Sequence, residues 1–309
     1  MKYSGIGGQA VMEGVMMKNQ DSYAVAVRKP DHNIEVKVNK YKGPGKYKFL
    51  RKLPIVRGVV SFVDSLYLGM STLMYSASFF EDEEDIKKRE TMTDAEKKKQ
   101  DRQEAALMTG TLIFSVVLAL LLFFMLPYFI SGFLKKWIAS QTLVALCEGL
   151  IRLAIFLGYI ALISRMDDIR RVFMYHGAEH KCINCIEHGL PLTVENVKIS
   201  SRQHKRCGTS FLLIVMLISI VFFMFIRVDA RWLQLLLRLL LIPVIAGVSY
   251  EFLRLAGRYD NALVNALSKP GLLLQGMTTR EPDEDMIEVG IASVEAVFDW
   301  KKWQEEEMV

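Results

Sequence analysis

The sequence contains no basic stripe with interleaved aromatic residues, no glycine-rich turn closed by the Lys-Ser or Lys-Thr of a phosphate-binding loop, and no internal repeat. The first absence argues against nucleic acid as the main partner, and the second against a P-loop nucleotide site. The opening stretch, MKYSGIGGQAVMEGVMM, has Gly, Gln and Glu where a secretory signal needs an unbroken apolar core. The N-terminus is therefore expected to stay on the side where it is made. Histidine and cysteine are scarce, five and four in 309 residues, and the net charge is only +5.

Apolar residues are what the chain has in excess. They make up 51% of it, with a mean hydropathy of +0.22, and this points to a bilayer as solvent. Leu107 to Leu126 is a nearly uninterrupted apolar run ended by Pro127. At about 1.5 Å per residue it is long enough to cross about 30 Å of hydrocarbon. Leu143 to Ile163 makes a second span, in which Glu148 and Arg152 stand four apart and can pair across a helical turn. Thr209 to Ile226 and Trp232 to Val248 make a third and a fourth. Lys and Arg crowd residues 1–106, 164–209 and 250–309, whereas the opposite loops hold only Lys135, Lys136, Arg227 and Arg231. That asymmetry predicts a multi-pass cell-membrane protein with both termini cytoplasmic.

The predicted fold is mainly α, a polytopic membrane helix bundle with about four spans, a cytoplasmic N-terminal β-hairpin and cytoplasmic amphipathic helices. Residues 1–53 form the N-terminal region with the hairpin, and 54–106 an amphipathic surface helix and charged linker. Spans one and two occupy 107–163, a cytoplasmic His/Cys segment 164–208, spans three and four 209–249, and C-terminal helices 250–309. Within this frame, residues 3–18 read as a tight glycine-punctuated loop. The hairpin joins 23–27 to 34–38, with a solvated His32 at its tip. Ile55, Val59, Phe62, Leu66, Met70, Leu73 and Ala77 fall on one helical stripe. Arg57 and Asp64 would be costly at mid-bilayer, so that helix is expected on the membrane surface or against the bundle. The charged stretch from Glu81 to Glu104 reads as a solvated helix or linker. The second span should run on as one helix into the His/Cys segment and stop at Gly189 and Pro191, with Gly177 a weak point. A helix after the fourth span should end at Pro270 and Gly271, and a last one should bury Ile287, Ile291, Val294 and Phe298.

The His/Cys segment, His176 to Cys207, holds four of the five histidines and three of the four cysteines. His176 and His180 lie on one helix face with Glu179 beside them. HGAEH spells H-x-x-E-H, in which two imidazoles hold zinc and the carboxylate handles the proton of a water. Cys182 and Cys185 form C-x-x-C, and His204 and Cys207 form H-x-x-C; imidazole and thiolate are the groups zinc prefers. Two sets follow. His176 and His180 with His204 or Cys207 leave an open position, as catalysis requires, whereas Cys182, Cys185, His204 and Cys207 close a structural knuckle. The reducing cytoplasm makes these cysteines candidate ligands rather than disulfide partners.

GGQAVMEGVMM, LPIVRGVV, YHGAEHK, LTVENV, RCGTSF and TTREPDEDMIEVGIA together resemble the blocks of the YqhQ-like bacterial membrane proteins, a family of unknown function thought to be metal-dependent enzymes. The resemblance covers nearly the whole length. It implies His176, Glu179, His180, His204 and Cys207 as the matched positions, while the family carries other residues where Cys182 and Cys185 stand. It also brings Glu13 into view as a polar partner. The expectation is a cytoplasmic-face zinc site of His176, His180, His204 and Cys207, with Glu179 as proton acceptor in hydrolysis of an unspecified substrate. The rival is a non-catalytic scaffold or assembly factor for other membrane proteins. A transporter is a weaker third, since the spans lack paired Gly/Pro-broken helices.

Overall fold

The computed structural model describes residues 2–41, 52–80, 91–226, 228, 230–259 and 261–307. Most of the basic run from Lys40 to Lys52, the charged stretch 81–90, and Arg227 and Asp229 of the short link lie outside the described residues. The chain is mainly helical with an N-terminal antiparallel sheet, and it divides into two units.

The first unit comprises residues 1–79, 160–219 and 228–309. It begins with β1 (Gly7–Val11), β2 (Gly14–Asn19), β3 (Ser22–Arg28) and β4 (Ile34–Lys40), paired in that order. The expected hairpin is present as β3 and β4, with His32 at its turn at φ 65°. Residues 3–18 differ from the loop reading: their glycines belong to two further strands. The two-residue turn between these is possible because Glu13 adopts φ 48°. Met16 pairs with Val25 on one buried face of the sheet, while Val15, Met17 and Ala26 enter the main core on the other. That core is completed by α5 (Asp167–Glu187) and α10 (Glu284–Glu295), which contribute Tyr175, Ala178, Ile183, Ile287 and Val294. Asp283 caps α10 by accepting from the Met286 amide at 2.9 Å, and Phe298 is buried as the periodicity predicts.

The stripe helix forms as α1 (Val56–Ala77), but it turns its other face inward. Gly58, Leu68, Thr72 and Ser76 are buried, whereas Leu66, Met70 and Leu73 are exposed. Small and hydroxylic residues allow close approach to β1 and α8 (Arg231–Arg258). They also serve the sheet's edge: Gln9 Nε2 donates to Thr72 Oγ1, and the Met12 amide to Ser76 Oγ, both at 3.0 Å. Arg57 pairs with Glu251 of α8, which removes one of the two costly charges.

Two proline expectations are also revised. The helix after α8 does not stop at Pro270: α9 (Ala262–Thr278) starts anew at Asn261, whose side chain caps Val264, and passes through Pro270. In the second unit (residues 80–159 and 220–227), the apolar run passes through Pro127. There α2 (Asp94–Leu120), opened by a Thr93–Glu96 capping box, leads through a π-turn (Leu121–Met125) into α3 (Leu126–Leu134). Proline lacks the N–H that would have bonded to the carbonyl four residues back, that of Phe123. Arg152 Nε takes that carbonyl at 2.9 Å and donates from Nη2 to Glu148 at the same distance, so the predicted pair is present and fully buried. Both residues lie on α4 (Gln141–Ile163).

Among the described residues three stretches, Ala95–Leu134, Gln141–Ile163 and Trp232–Gly257, are long and apolar enough to cross a membrane. The expected third span is α7 (Gly208–Met224), apolar but shorter at 17 residues.

Candidate metal centre

The anticipated continuous helix into the His/Cys segment is interrupted. After α4 the chain turns at residues 164–166 and restarts as α5, whose first turn carries Asp167 and Asp168 at the end that favours negative charge. Gly177 does not break α5. A Cβ there would lie 2.0 Å from the Arg280 carbonyl oxygen, so glycine is what lets the strand-like segment before α10 lie along the helix. Gly189, at φ 77°, ends α5 as expected.

One face of α5 holds the incoming loop through backbone carbonyls. His180 Nδ1 donates to Arg202 O at 2.7 Å, Lys181 Nζ to Lys198 O and Ser200 O at 2.7 and 3.0 Å, and Asn184 Nδ2 to Ser201 O and Gln203 O at 2.6 and 2.9 Å. These bonds bring the loop between α6 (Val194–Ile199) and α7 back beneath α5 and set Cys207 at the start of α7. His176 Nδ1 makes the equivalent bond to Thr278 O at 2.8 Å. A carbonyl only accepts, so both imidazoles carry hydrogen on Nδ1.

The ligand atoms of His176, His180 and Cys207 all lie within 4.8 Å of one another, and His176 Nε2 is 3.2 Å from Cys207 Sγ. Rings fixed through Nδ1 by backbone oxygen are the usual support for histidines that present Nε2 to a metal. Glu179 Oε2 lies 3.9 Å from His176 Nε2 and 3.8 Å from His180 Nε2. The sulphur also receives the Thr209 amide at 3.4 Å and lies 3.1 Å from the Thr209 hydroxyl. Burial opposes charge on both rings, yet the Cys207 sulphur and the Glu179 carboxylate raise His176 to about 9 and His180 above its ordinary value. Burial also opposes a thiolate at Cys207, but the two imidazoles hold it well below the usual thiol range.

The other sequence candidates lie elsewhere. His204 lies near His180, with ring centroids 5.7 Å apart and the planes tilted, but its Nε2 is 3.1 Å from Arg206 and 3.5 Å from Glu187. Cys182 and Cys185 are fully buried in the apolar core, where burial pushes both thiols up, and among the described residues the donors that converge are those of His176, His180 and Cys207, not the knuckle set. Glu13 is bound through both oxygens to Arg171 at 2.5 and 2.6 Å and meets the Tyr175 hydroxyl at 3.3 Å, which pins the β1–β2 turn to α5. The same block reaches the centre through Gly8, where a Cβ would stand 3.0 Å from Glu179 Cγ. Lys181 and Asn184 were missed by sequence reading. Their spacing from His180 on one helical face was the available signal.

These features define a mainly helical protein with several membrane-capable helices and a His/His/Cys group that could hold a metal. Residues 53–300 match the family described as "Protein of unknown function (DUF1385)". The chain is 35% identical over 288 residues to "Uncharacterized protein YqhQ" of Bacillus subtilis (strain 168), covering 93% of this chain and 90% of that one. The chain therefore belongs to the YqhQ family, DUF1385. No solved structure matches it.

Proposed function

We propose that the chain is a four-span membrane protein with both termini and the His/Cys centre on the cytoplasmic side, and that the centre holds zinc for a hydrolytic reaction. The segment division 1–53, 54–106, 107–163, 164–208, 209–249 and 250–309 belongs to this reading. The observation that carries it is the convergence of His176, His180 and Cys207, with both Nδ1–H groups engaged by carbonyls. Two imidazoles and a thiolate suit zinc, which would supply Lewis acidity to a substrate carbonyl or phosphoryl oxygen. The chain's own residues do the rest. Glu179 is within reach of a water placed beside the two Nε2 atoms and would take its proton, and the Thr209 amide and hydroxyl orient the sulphur. His204, held between Glu187 and Arg206, would support His180 from outside rather than act as a fourth donor.

A second reading, a non-catalytic scaffold for other membrane proteins, draws support from the closure of the centre. His180 and Cys207 are 1% and 6% exposed, so a metal there would chiefly tie the loop to α5. Elemental analysis of purified protein should find stoichiometric metal in the wild type and loss of it in His180→Ala; a metal-free wild type overturns the zinc reading, catalytic or structural, and leaves only a scaffold without metal. Glu179→Gln should keep the metal under either. A hydrolase variant of this kind fails to complement a deletion strain, whereas a scaffold still complements it.

A further inference from the structure

A cavity of about 460 Å³ in the first unit is lined by His204 and Glu187 together with four cations, Lys2, Lys205, Arg206 and Arg254. Among the described residues the lining holds a single carboxylate, and the chain engages one of its oxygens. Glu187 Oε1 accepts from the Ser4 amide at 3.0 Å, the Ser4 hydroxyl at 2.8 Å and Arg206 Nη2 at 2.5 Å. Arg206 is itself held firmly, with its guanidinium carbon 3.9 Å from the Tyr3 ring centroid. Beneath its stem, a Cβ on Gly257 would come within 2.6 and 2.7 Å of Arg206 Cγ and Cδ, so only glycine at that point of α8 lets the arginine lie across the helix. Lys205 Nζ is steadied by Asn265 Oδ1 at 2.8 Å. The negative end of the α8 dipole favours a cation in its last turn, which explains Arg254 but not the other three. The membrane-capable part of α8 ends at Gly257, so a wall made of Arg254, Ala256, Gly257 and Tyr259 stands where the chain leaves the apolar stretch. Tyrosine and cations are the residues that concentrate at that level.

We propose that this cavity binds the phosphate of an anionic ligand, either a phospholipid headgroup or a soluble phosphoester. A pre-oriented arginine fork flanked by lysines matches phosphate oxygens in both geometry and charge. The proposal does not depend on the metal reading.

The test is calorimetric titration of the full chain in detergent with dihexanoyl phosphatidylglycerol, inorganic phosphate and phosphate-free dihexanoylglycerol. The comparison is the Lys2→Gln/Arg254→Gln double variant, whose changes leave the Glu187–Arg206 pair intact. Saturable binding of a phosphate-bearing probe is expected, weakened about tenfold for each cation removed. Tighter binding of phosphatidylglycerol than of inorganic phosphate assigns the site to a lipid headgroup, and equal binding assigns it to a soluble phosphoester. The proposal is overturned if neither phosphate probe binds, if the phosphate-free glyceride binds as well as phosphatidylglycerol, or if the variant binds like the wild type. If the double variant does not fold, Arg254→Gln alone should show the loss of about tenfold that one cation carries. Metal analysis of the same samples separates this result from the centre, since phosphate binding is expected with or without metal.

Discussion

Lys181 and Glu187 show how much of the centre depends on residues outside its ligand set. Lys181 is 3% exposed and gives its ammonium to two loop carbonyls and to Glu281. Lys181→Met should therefore take the donor from two partly buried carbonyls and cost about 1 to 2 kcal/mol, read as a lower melting temperature together with reduced metal content. Glu187 sets a pH limit. Burial alone would raise its carboxyl, but His204, Arg206 and the Ser4 amide bring it from an ordinary 4.5 down to about 2. A depressed folded-state value means that its stabilising contribution is complete above pH 4.5 and is lost as pH falls toward 2. Wild-type melting temperature should fall across that window, and Glu187→Gln should show a lower melting temperature at neutral pH with a flatter acid limb. The H-x-x-E-H spacing made His176, Glu179 and His180 legible as one face, but the partition of the remaining donors was not. Whether His204 or Cys207 completes the group depends on where the Lys198–Gln203 loop is held, and that is decided by Lys181 and Asn184.

At the scale of elements, periodicity predicted α1 and α10 closely, yet it gave the inward face of only one of them. On α10 the apolar face is the buried one because the sheet and α5 together offer an apolar core. On α1 the neighbours are a strand edge and another helix at close range, so glycine, threonine and serine go inward and the apolar stripe is left outside. Hydropathy patterning cannot separate these cases, because it registers amphipathicity without the chemistry of the neighbour. Prolines misled for a related reason. At Pro127 the carbonyl that loses its N–H partner is not left orphaned, because Arg152 donates to Phe123 O. Glu148 and Arg152 are 3% and 2% exposed, so removing one partner strands a buried charge. Arg152→Leu or Glu148→Leu should each destabilise by about 3 to 5 kcal/mol, and the Glu148→Leu/Arg152→Leu double change by clearly less than the sum. Thermal unfolding in detergent would give the comparison, and additive losses would show that the two charges are not coupled.

For the molecule as a whole, the decisive quantity is the parity of the spans. Three membrane-capable helices alone would leave the N- and C-termini on opposite sides of a bilayer. A crossing by α7 as well returns them to the same side. At 17 residues α7 is about 26 Å long, against roughly 30 Å of hydrocarbon, a mismatch that local thinning or the flanking Phe225 and Ile226 can absorb. The distribution of Lys and Arg favours the even count, since Lys135 and Lys136 are alone on their loop while both terminal regions are rich in cations. Cysteine labelling in intact cells tests this directly. With Cys147 replaced by serine, the remaining cysteines are buried and should be silent. Lys135→Cys and Ala230→Cys should then react with an impermeant maleimide from outside, and Ser22→Cys and Gln304→Cys only after the membrane is opened. Labelling of just one of the two terminal positions from outside would make the crossing number odd. In that case the His176, His180 and Cys207 group would have to be reassigned side by side with the loop that carries it.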